Sequence, residues 1–480
     1  MNSTSRARRS CALGAALVPA ALFVAAACSS SSSGTAPNPS DGGGDGATAG
    51  LSKINHVVVI VLENWSFDSL YAEFPGAEGI ANAMKAPPQI DATGVPYATL
   101  PQSETHLPQN LPNAPFALDS FIPTSGETST DLTNNFYEEQ RQIHGGKMDQ
   151  FVLFDTSAKG LTMGYYHTAG LPLQAEAKSY TLCDHFFHGV FGGSLQNHIF
   201  LISAGVAQFP NAPASLKRAV LDANGIPVPD ANGKPQDGPL TPDGYVVGAV
   251  YQAATPHPPT TPAEQLVPGQ TFPTIGDSLS AQNIDWAWYA EGWTEITSNP
   301  TLNEAGVDPQ TLFQYNHHPF VYFANYADGA PGRAHLKDET DFTAAAKAGT
   351  LPAVSFVKPD GVDNEHPNYA NVTAGEAHVL DLINAVRNGP NWADTAIIVT
   401  YDENGGFWDH VAPPPGDKWG PGSRVPTIVI SPFAKKGFVD TTVYDAASIL
   451  ALIEHRFNLA PLGTRDKSAA DLTNAFDFTQ

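Results

Sequence analysis

From residue 55 onward the chain breaks into short apolar runs separated by long polar stretches. His56–Leu62 is an almost unbroken run of Val and Ile that stops abruptly at Glu63-Asn64. Continuous apolarity, rather than alternation, predicts a strand buried on both faces. Similar runs at 353–357, 395–400 and 427–430 predict three more strands, and apolar residues recur at helical spacing over 374–386 and 446–457. Strands alternating with helices predict an α/β domain, a mostly parallel central sheet flanked by helices. Between about 209 and 273 the chain is rich in Pro, Gly, Asn and Asp, with turn pairs at Asn224-Gly225, Asn232-Gly233 and Asp243-Gly244. This stretch reads as a long loop insertion that could overhang a site.

The first residues read as an address. Arg6, Arg8 and Arg9 precede an uncharged apolar run over 12–27, too short for a comfortable membrane span, and Ala25-Ala26-Ala27-Cys28 follows the pattern of a lipoprotein processing site. The expectation is an export signal at 1–27, followed by lipid attachment at Cys28, with ordinary cleavage or a retained anchor as the alternatives. A flexible Ser/Gly-rich tether at 28–52, a domain at 53–465 and a tail at 466–480 complete the organisation. The protein is therefore expected outside the cytoplasm, as a cell-envelope lipoprotein anchored through Cys28, or otherwise periplasmic or secreted.

Charge narrows the picture. With 24 Lys plus Arg against 48 Asp plus Glu in 480 residues, the chain carries a formal charge of -24. A nucleic-acid scaffold as partner is excluded, because phosphate-backbone affinity needs clustered Lys and Arg. At 42% hydrophobic and 15% charged it is also not a disordered acidic chain. Of three cysteines, Cys183 reads as a small buried hydrophobe.

Three clusters carry candidate chemistry. In Glu63-Asn64-Trp65-Ser66-Phe67-Asp68, a carboxylate and an amide stand at the end of a strand, two hard oxygen ligands for a divalent cation, although Asn64 or Ser66 would equally cap a helix. In Gly192-Gly193-Ser194-Leu195-Gln196-Asn197-His198, two glycines permit a sharp turn ahead of a helical segment, so Ser194 is either an exposed nucleophile or a helix cap. The third cluster is Asp402-Glu403-Asn404-Gly405-Gly406-Phe407-Trp408-Asp409-His410, where adjacent acids at the end of an apolar strand call for a neutralising cation. His317, His318 and His366 lie in loop contexts, suited to holding phosphate oxygens or protonating a leaving group.

Six blocks in order, Glu63-Asn64-x-Ser66-Phe67-Asp68, Gly145-Gly146-Lys147-Met148-Asp149-x-Phe151, Gly193-Ser194-x-x-Asn197, His317-His318-Pro319-Phe320, His366-Pro367 and Tyr401-Asp402-Glu403-x-Gly405-Gly406-Phe407-x-Asp409-His410-Val411, resemble the bacterial phosphoesterase family. That family holds phosphatidylcholine-type phospholipases C and respiratory-burst-inhibiting acid phosphatases. The resemblance implies an alkaline-phosphatase-like sandwich and a metal-dependent phosphoric ester hydrolase. It implies a divalent cation, Ca, Mg, Mn or Zn, held by Glu63, Asn64, Asp402 and Glu403. Ser194 would form a phosphoseryl intermediate, and His317, His318 and His366 would line the phosphate pocket. Ser194 with Leu195-Gln196-Asn197 looks more like the acid phosphatase branch than the Thr-Pro-Asn of phospholipases C. The expected substrate is therefore a phosphomonoester; the alternatives are a phospholipid head group or a non-catalytic surface lipoprotein. Trp65 and Asn404 depart from the Arg and His common in the family.

Overall fold

The predicted strand β1 forms over His56–Leu62, with every residue from Val57 to Leu62 buried. Successive strand residues point to opposite faces, so burial of all six means both faces are covered. Each such side chain contributes roughly 1.5–3 kcal/mol relative to remaining exposed. The computed structural model describes residues 50–231, 235–299 and 312–480. The expected export signal, Cys28 and nearly all of the expected tether lie outside these residues.

Seven further strands complete the main sheet among the described residues: β2 (Thr181–Cys183), β3 (Trp286–Ala290), β4 (Leu336–Asp338), β5 (Val354–Lys358), β6 (Thr395–Tyr401), β7 (Thr427–Ile430) and β8 (Phe438–Asp440). Their spatial order is β8-β2-β7-β6-β1-β5-β3-β4. Only β7 runs against its two neighbours; the other pairings are parallel, so the α/β sheet is mostly parallel as expected. In the centre β1 pairs with β6 from His56↔Thr395 to Leu62↔Tyr401. Both strands therefore end at the same level, which brings Glu63-Asn64 beside Asp402-Glu403.

The helices that matter for the site are α1 (Phe67–Tyr71), α2 (Phe136–Ile143), α3 (Ser194–Ser203), α4 (Glu339–Ala348), α5 (Val372–Arg387) and α6 (Ala446–Phe457). Helix α3 packs on α6, and α4 on α5. Ser66 caps α1, accepting from Ser69 N at 3.2 Å, so the capping role weighed for this residue is real. Cys183 is free and fully buried on β2, the inert reading expected of it.

Two boundaries differ from expectation. Gly50 and Leu51 are already buried, with Phe478 packed over Gly50, so the packed chain begins before residue 53. The expected tail at 466–480 is part of the domain: Leu472 and Ala475 are fully buried, and Ala475 O accepts from Thr181 Oγ1 at 2.9 Å. Its few apolar residues fill gaps beside β2 and β8, a role that a short polar-looking sequence does not announce. The insertion over 209–273 contributes no strand to the main sheet among its described residues, but Leu240, Val246 and Val267 root it in the core.

Several buried acids outside the sheet ends have a consequence for pH. Burial pushes Glu376, Asp360 and Glu454 up to about 8, and Glu138 and Glu291 up to about 7. Each binds a proton in the folded state that the unfolded chain has already lost, so stability falls as pH rises from the ordinary carboxylate range toward 8. Burial opposes the charge on His378, yet Glu339, Glu291 and Asp363 raise it to about 9; its contribution is present below about 6.5 and lost as pH rises through 9. Burial lowers His198 to about 4, which costs stability below about 6.5. The five raised acids outnumber the one lowered imidazole, so stability is expected to decline from about pH 5 upward. The midpoint of thermal unfolding in chelator should drop on the order of 5 °C by pH 8.5. A midpoint that rises over that interval would contradict this.

Candidate active site at the carboxyl ends of two central strands

Glu63 is the hub. It leaves the end of β1 fully buried, and its carboxylate meets four groups from three other segments. Ser194 Oγ donates to Oε2 at 3.0 Å. Around Oε1 lie Lys358 Nζ at 2.9 Å, His317 Nδ1 at 3.2 Å and His198 Nε2 at 3.5 Å. Burial works against its ionisation, but His317, Lys358, His198 and His366 hold its carboxyl well below the usual carboxylate range.

Asn64 follows with a left-handed backbone (φ 66°), a conformation that Asn tolerates better than most residues. Its backbone N–H donates to Asp402 Oδ1 at 3.2 Å, and its amide donates from Nδ2 to His366 Nε2 at 2.9 Å. His366 Nδ1 lies 2.6 Å from Pro367 O, which can only accept, so the proton sits on Nδ1 and Nε2 is the acceptor. Asn64 Oδ1 has no hydrogen-bond partner among the described residues.

At the end of β6, Asp402 Oδ1 also accepts from Glu403 N at 2.8 Å, while its Oδ2 has no hydrogen-bond partner among the described residues. Burial and neighbouring Glu63 push the Asp402 carboxyl well above its ordinary range; burial and Asp402 do the same to Glu403. Glu403 accepts from Asn134 Nδ2 at 2.6 Å and from Gly405 N. The turn behind it needs glycine: a Cβ on Gly405 (φ 61°) would stand 2.2 Å from Asn64 O.

Ser194 opens α3 but does not cap it; its hydroxyl turns to Glu63 instead. The preceding turn uses Gly192 at φ 85°, as the paired glycines predict. One helical turn on, His198 Nδ1 lies 2.8 Å from Ser194 O, so Nδ1 carries the proton and the Nε2 lone pair faces Glu63.

The structure thus gathers Ser194, His317 and His366 with Glu63, Asn64, Asp402 and Glu403. His318 stands apart: it is stacked on Phe313 and Trp293 at centroid distances of 4.6 and 5.1 Å, and no ion pair or hydrogen bond ties it to those carboxylates among the described residues. Three participants escaped the sequence reading. His198 had a signal in its four-residue spacing from Ser194, and Lys358 in its place directly after an apolar strand. Asn134 had none.

Among the described residues Asn64 Oδ1, Asp402 Oδ2, His198 Nε2 and His317 Nδ1 are buried without a hydrogen-bond partner, and Glu63 Oε1, paired with Lys358, faces them. Glu63, His198 and Asp402 offer ligand atoms within 4.8 Å of one another. Buried lone pairs converging on one point are costly unless a cation sits among them, so the donor set fits a divalent metal. Of the four residues expected to hold it, Glu403 has both oxygens already engaged, and neutral His198 supplies a nitrogen in addition.

The remaining motif residues hold this apparatus down. Arg424, fully buried, donates from Nε to Asp409 Oδ1 at 2.8 Å and from NH2 to Asp68 Oδ1 at 3.2 Å. His410 N reaches Asp68 Oδ2 at 2.8 Å, and Trp408 Nε1 reaches Met148 O at 2.7 Å. These bonds clamp the loop after β6 onto α1 and the Gly145–Asp149 turn.

A mostly parallel α/β sheet with a serine and a cation-ready cluster at its strand ends defines the protein as a phosphoric ester hydrolase once set beside its relatives. The chain belongs to the Phosphoesterase family, whose model matches residues 54–460. It is similar to phospholipase C A of Mycobacterium tuberculosis, 27% identical over 468 residues that cover 89% of this chain and 78% of that protein. The non-hemolytic phospholipase C of Pseudomonas aeruginosa is 26% identical, over 89% of this chain and 58% of that protein. Among solved structures, a protein in the alkaline phosphatase superfamily from Vibrio parahaemolyticus aligns with 73% of each chain at 13% identity and a TM-score of 0.31.

Proposed function

We propose that this phosphoric ester hydrolase is a metal-dependent phospholipase C, cleaving the phosphodiester between the glycerol and the head group of a phospholipid. The observation that carries the chemistry is Ser194 Oγ, 3.0 Å from Glu63 at the edge of the unpartnered donor set. The choice of a lipid over a phosphomonoester rests on the relatives, which are phospholipases C; the Ser-Leu-Gln-Asn block, which leaned toward acid phosphatase, weighs less than similarity along the whole domain.

Glu63, Asn64, Asp402 and His198 would hold the cation, whose contribution is to draw charge from the phosphoryl oxygens and favour the ionised serine. Glu63 Oε2 is placed to take the Ser194 proton as Oγ attacks phosphorus. The Oγ–P bond forms while the P–O bond to glycerol breaks, and diacylglycerol leaves with one proton, which balances the one that Ser194 gave up. Lys358, buried beside Glu63, adds a fixed positive charge where phosphoryl oxygens gather. Water then attacks the phosphoseryl group, releasing the phosphorylated head group and restoring Ser194. His198 in the ligand set favours Mn or Zn over Ca, which prefers oxygen alone.

We place the protein outside the cytoplasm, tethered through Cys28; among the described residues no helix is long and apolar enough to cross a membrane. Incubation with phosphatidylcholine vesicles and with p-nitrophenyl phosphate, with and without chelator, tests the function. Diacylglycerol release that is abolished by chelator is expected. Turnover of the monoester alone would return the acid phosphatase reading, and turnover of neither would leave a binding protein.

A further inference from the structure

Behind the site, one residue the mechanism does not use is tied to both metal-bearing strands. Glu365 is fully buried in the loop after β5, with its backbone at φ 72°, a conformation that a long side chain adopts only when its surroundings enforce it. Its carbonyl accepts from Trp65 Nε1 at 2.9 Å, one residue beyond Asn64. Its Oε2 accepts from the hydroxyl of Tyr401 at 2.7 Å, one residue before Asp402. Trp65 is itself fixed by stacking on Phe407, with centroids 4.3 Å apart. The site also leaves room for this side chain and no more: a Cβ on Gly375 of α5 would lie 2.2 Å from Glu365 Cγ. On either side, Asn364 O accepts from Glu63 N at 2.9 Å, and Asn364 Oδ1 accepts from His366 N at 2.9 Å.

The next residue along is His366, whose Nε2 accepts the Asn64 amide N–H. That bond decides which end of the Asn64 amide faces the cluster: with Nδ2 engaged by His366, Oδ1 faces the other lone pairs. If His366 shifted, the amide could rotate and present N–H groups to a cation instead of an oxygen.

We propose that Glu365 is a positioning residue for the cation site: by tying its loop to Trp65 and Tyr401 it fixes His366, and through His366 it turns the Asn64 oxygen toward the metal. The inference rests on the proposed metal dependence but concerns cation affinity, not turnover. Gln at this position keeps an acceptor of the same shape for the Tyr401 hydroxyl, whereas Ala removes it. Partners that orient a ligand typically change metal affinity 10–100-fold when lost.

Titration calorimetry of the full domain with Mn²⁺ provides the test, using wild type, E365Q, E365A, Y401F, H366A and E365A/H366A, with a thermal scan of each to confirm folding. E365A and H366A are each expected to weaken Mn²⁺ binding about 10–100-fold, E365Q to retain it within a few-fold, and the double variant to bind no more weakly than H366A alone. Y401F, which removes one hydroxyl and keeps the ring, carries the test should E365A not fold, with an expected loss of several-fold. Unchanged affinity in folded E365A or Y401F, or losses from E365A and H366A that simply add, would overturn the inference. Wild-type protein that takes up no Mn²⁺, Zn²⁺ or Ca²⁺ would overturn the proposed function together with it; wild type that binds Mn²⁺ but hydrolyses no phosphoester would overturn the function alone.

Discussion

Replacing Ser194 by Ala is expected to lower kcat on phospholipid by at least roughly 10³-fold while the protein stays folded and metal-loaded, because it removes the atom that forms the phosphoseryl bond and nothing else the fold needs. Ser194 does not cap α3, and its Oγ donates to Glu63 rather than to the helix start, so the change leaves the helix start as it is. The thermal midpoint should move little. Kinetics with diacylglycerol release as readout, paired with metal analysis of the same preparation, check this. Residual activity near that of wild type with metal bound would assign the nucleophile elsewhere.

Asp402→Asn is expected to act with opposite signs on the two forms of the protein. Without metal, Asp402 is buried beside Glu63, and both the lost hydration and that neighbour work against its charge. Asn removes this penalty while its carbonyl oxygen can still accept from Asn64 N and Glu403 N, so the metal-free variant should be at least as stable as wild type. With metal, the variant lacks an anionic ligand, and its affinity should fall by more than the roughly 10–100-fold that loss of an outer partner costs. Thermal scans with chelator and with excess Mn²⁺ would show the gap between the two conditions shrinking. A gap as large as that of wild type would remove Asp402 from the ligand set.

The frame of the domain was legible because its central strands are buried on both faces. β1, β6 and β7 write that fact as unbroken apolar runs, and α6 was bounded correctly by its periodicity. The outer strands were not legible: β2, β4 and β8 have three residues each, too short for any period to register. β3 was missed because Trp286-Ala287-Trp288-Tyr289-Ala290 reads as an aromatic cluster as readily as a strand. Within the site, Glu63 and Asp402 were marked by charge at the end of an apolar run, and the same rule applied to 353–357 would have yielded Lys358. What pattern could not supply was direction. His317 and His318 are sequence neighbours in identical loop context, yet one ring faces Glu63 and the other is enclosed by Phe313 and Trp293, a difference made by aromatic packing that the spacing of polar and apolar residues does not encode.

The in-step pairing of β1 with β6 carries one more consequence. Side chains in a strand alternate between faces, so sliding either strand by a single residue would send Glu63 or Asp402 to the wrong side of the sheet. A cation that needs both acids at once can therefore be captured only by chains whose two central strands have zipped correctly. Metal uptake during refolding would then work as a proofreading signal: its rate would time the final alignment of the sheet, and misaligned molecules would remain apo however much metal is supplied.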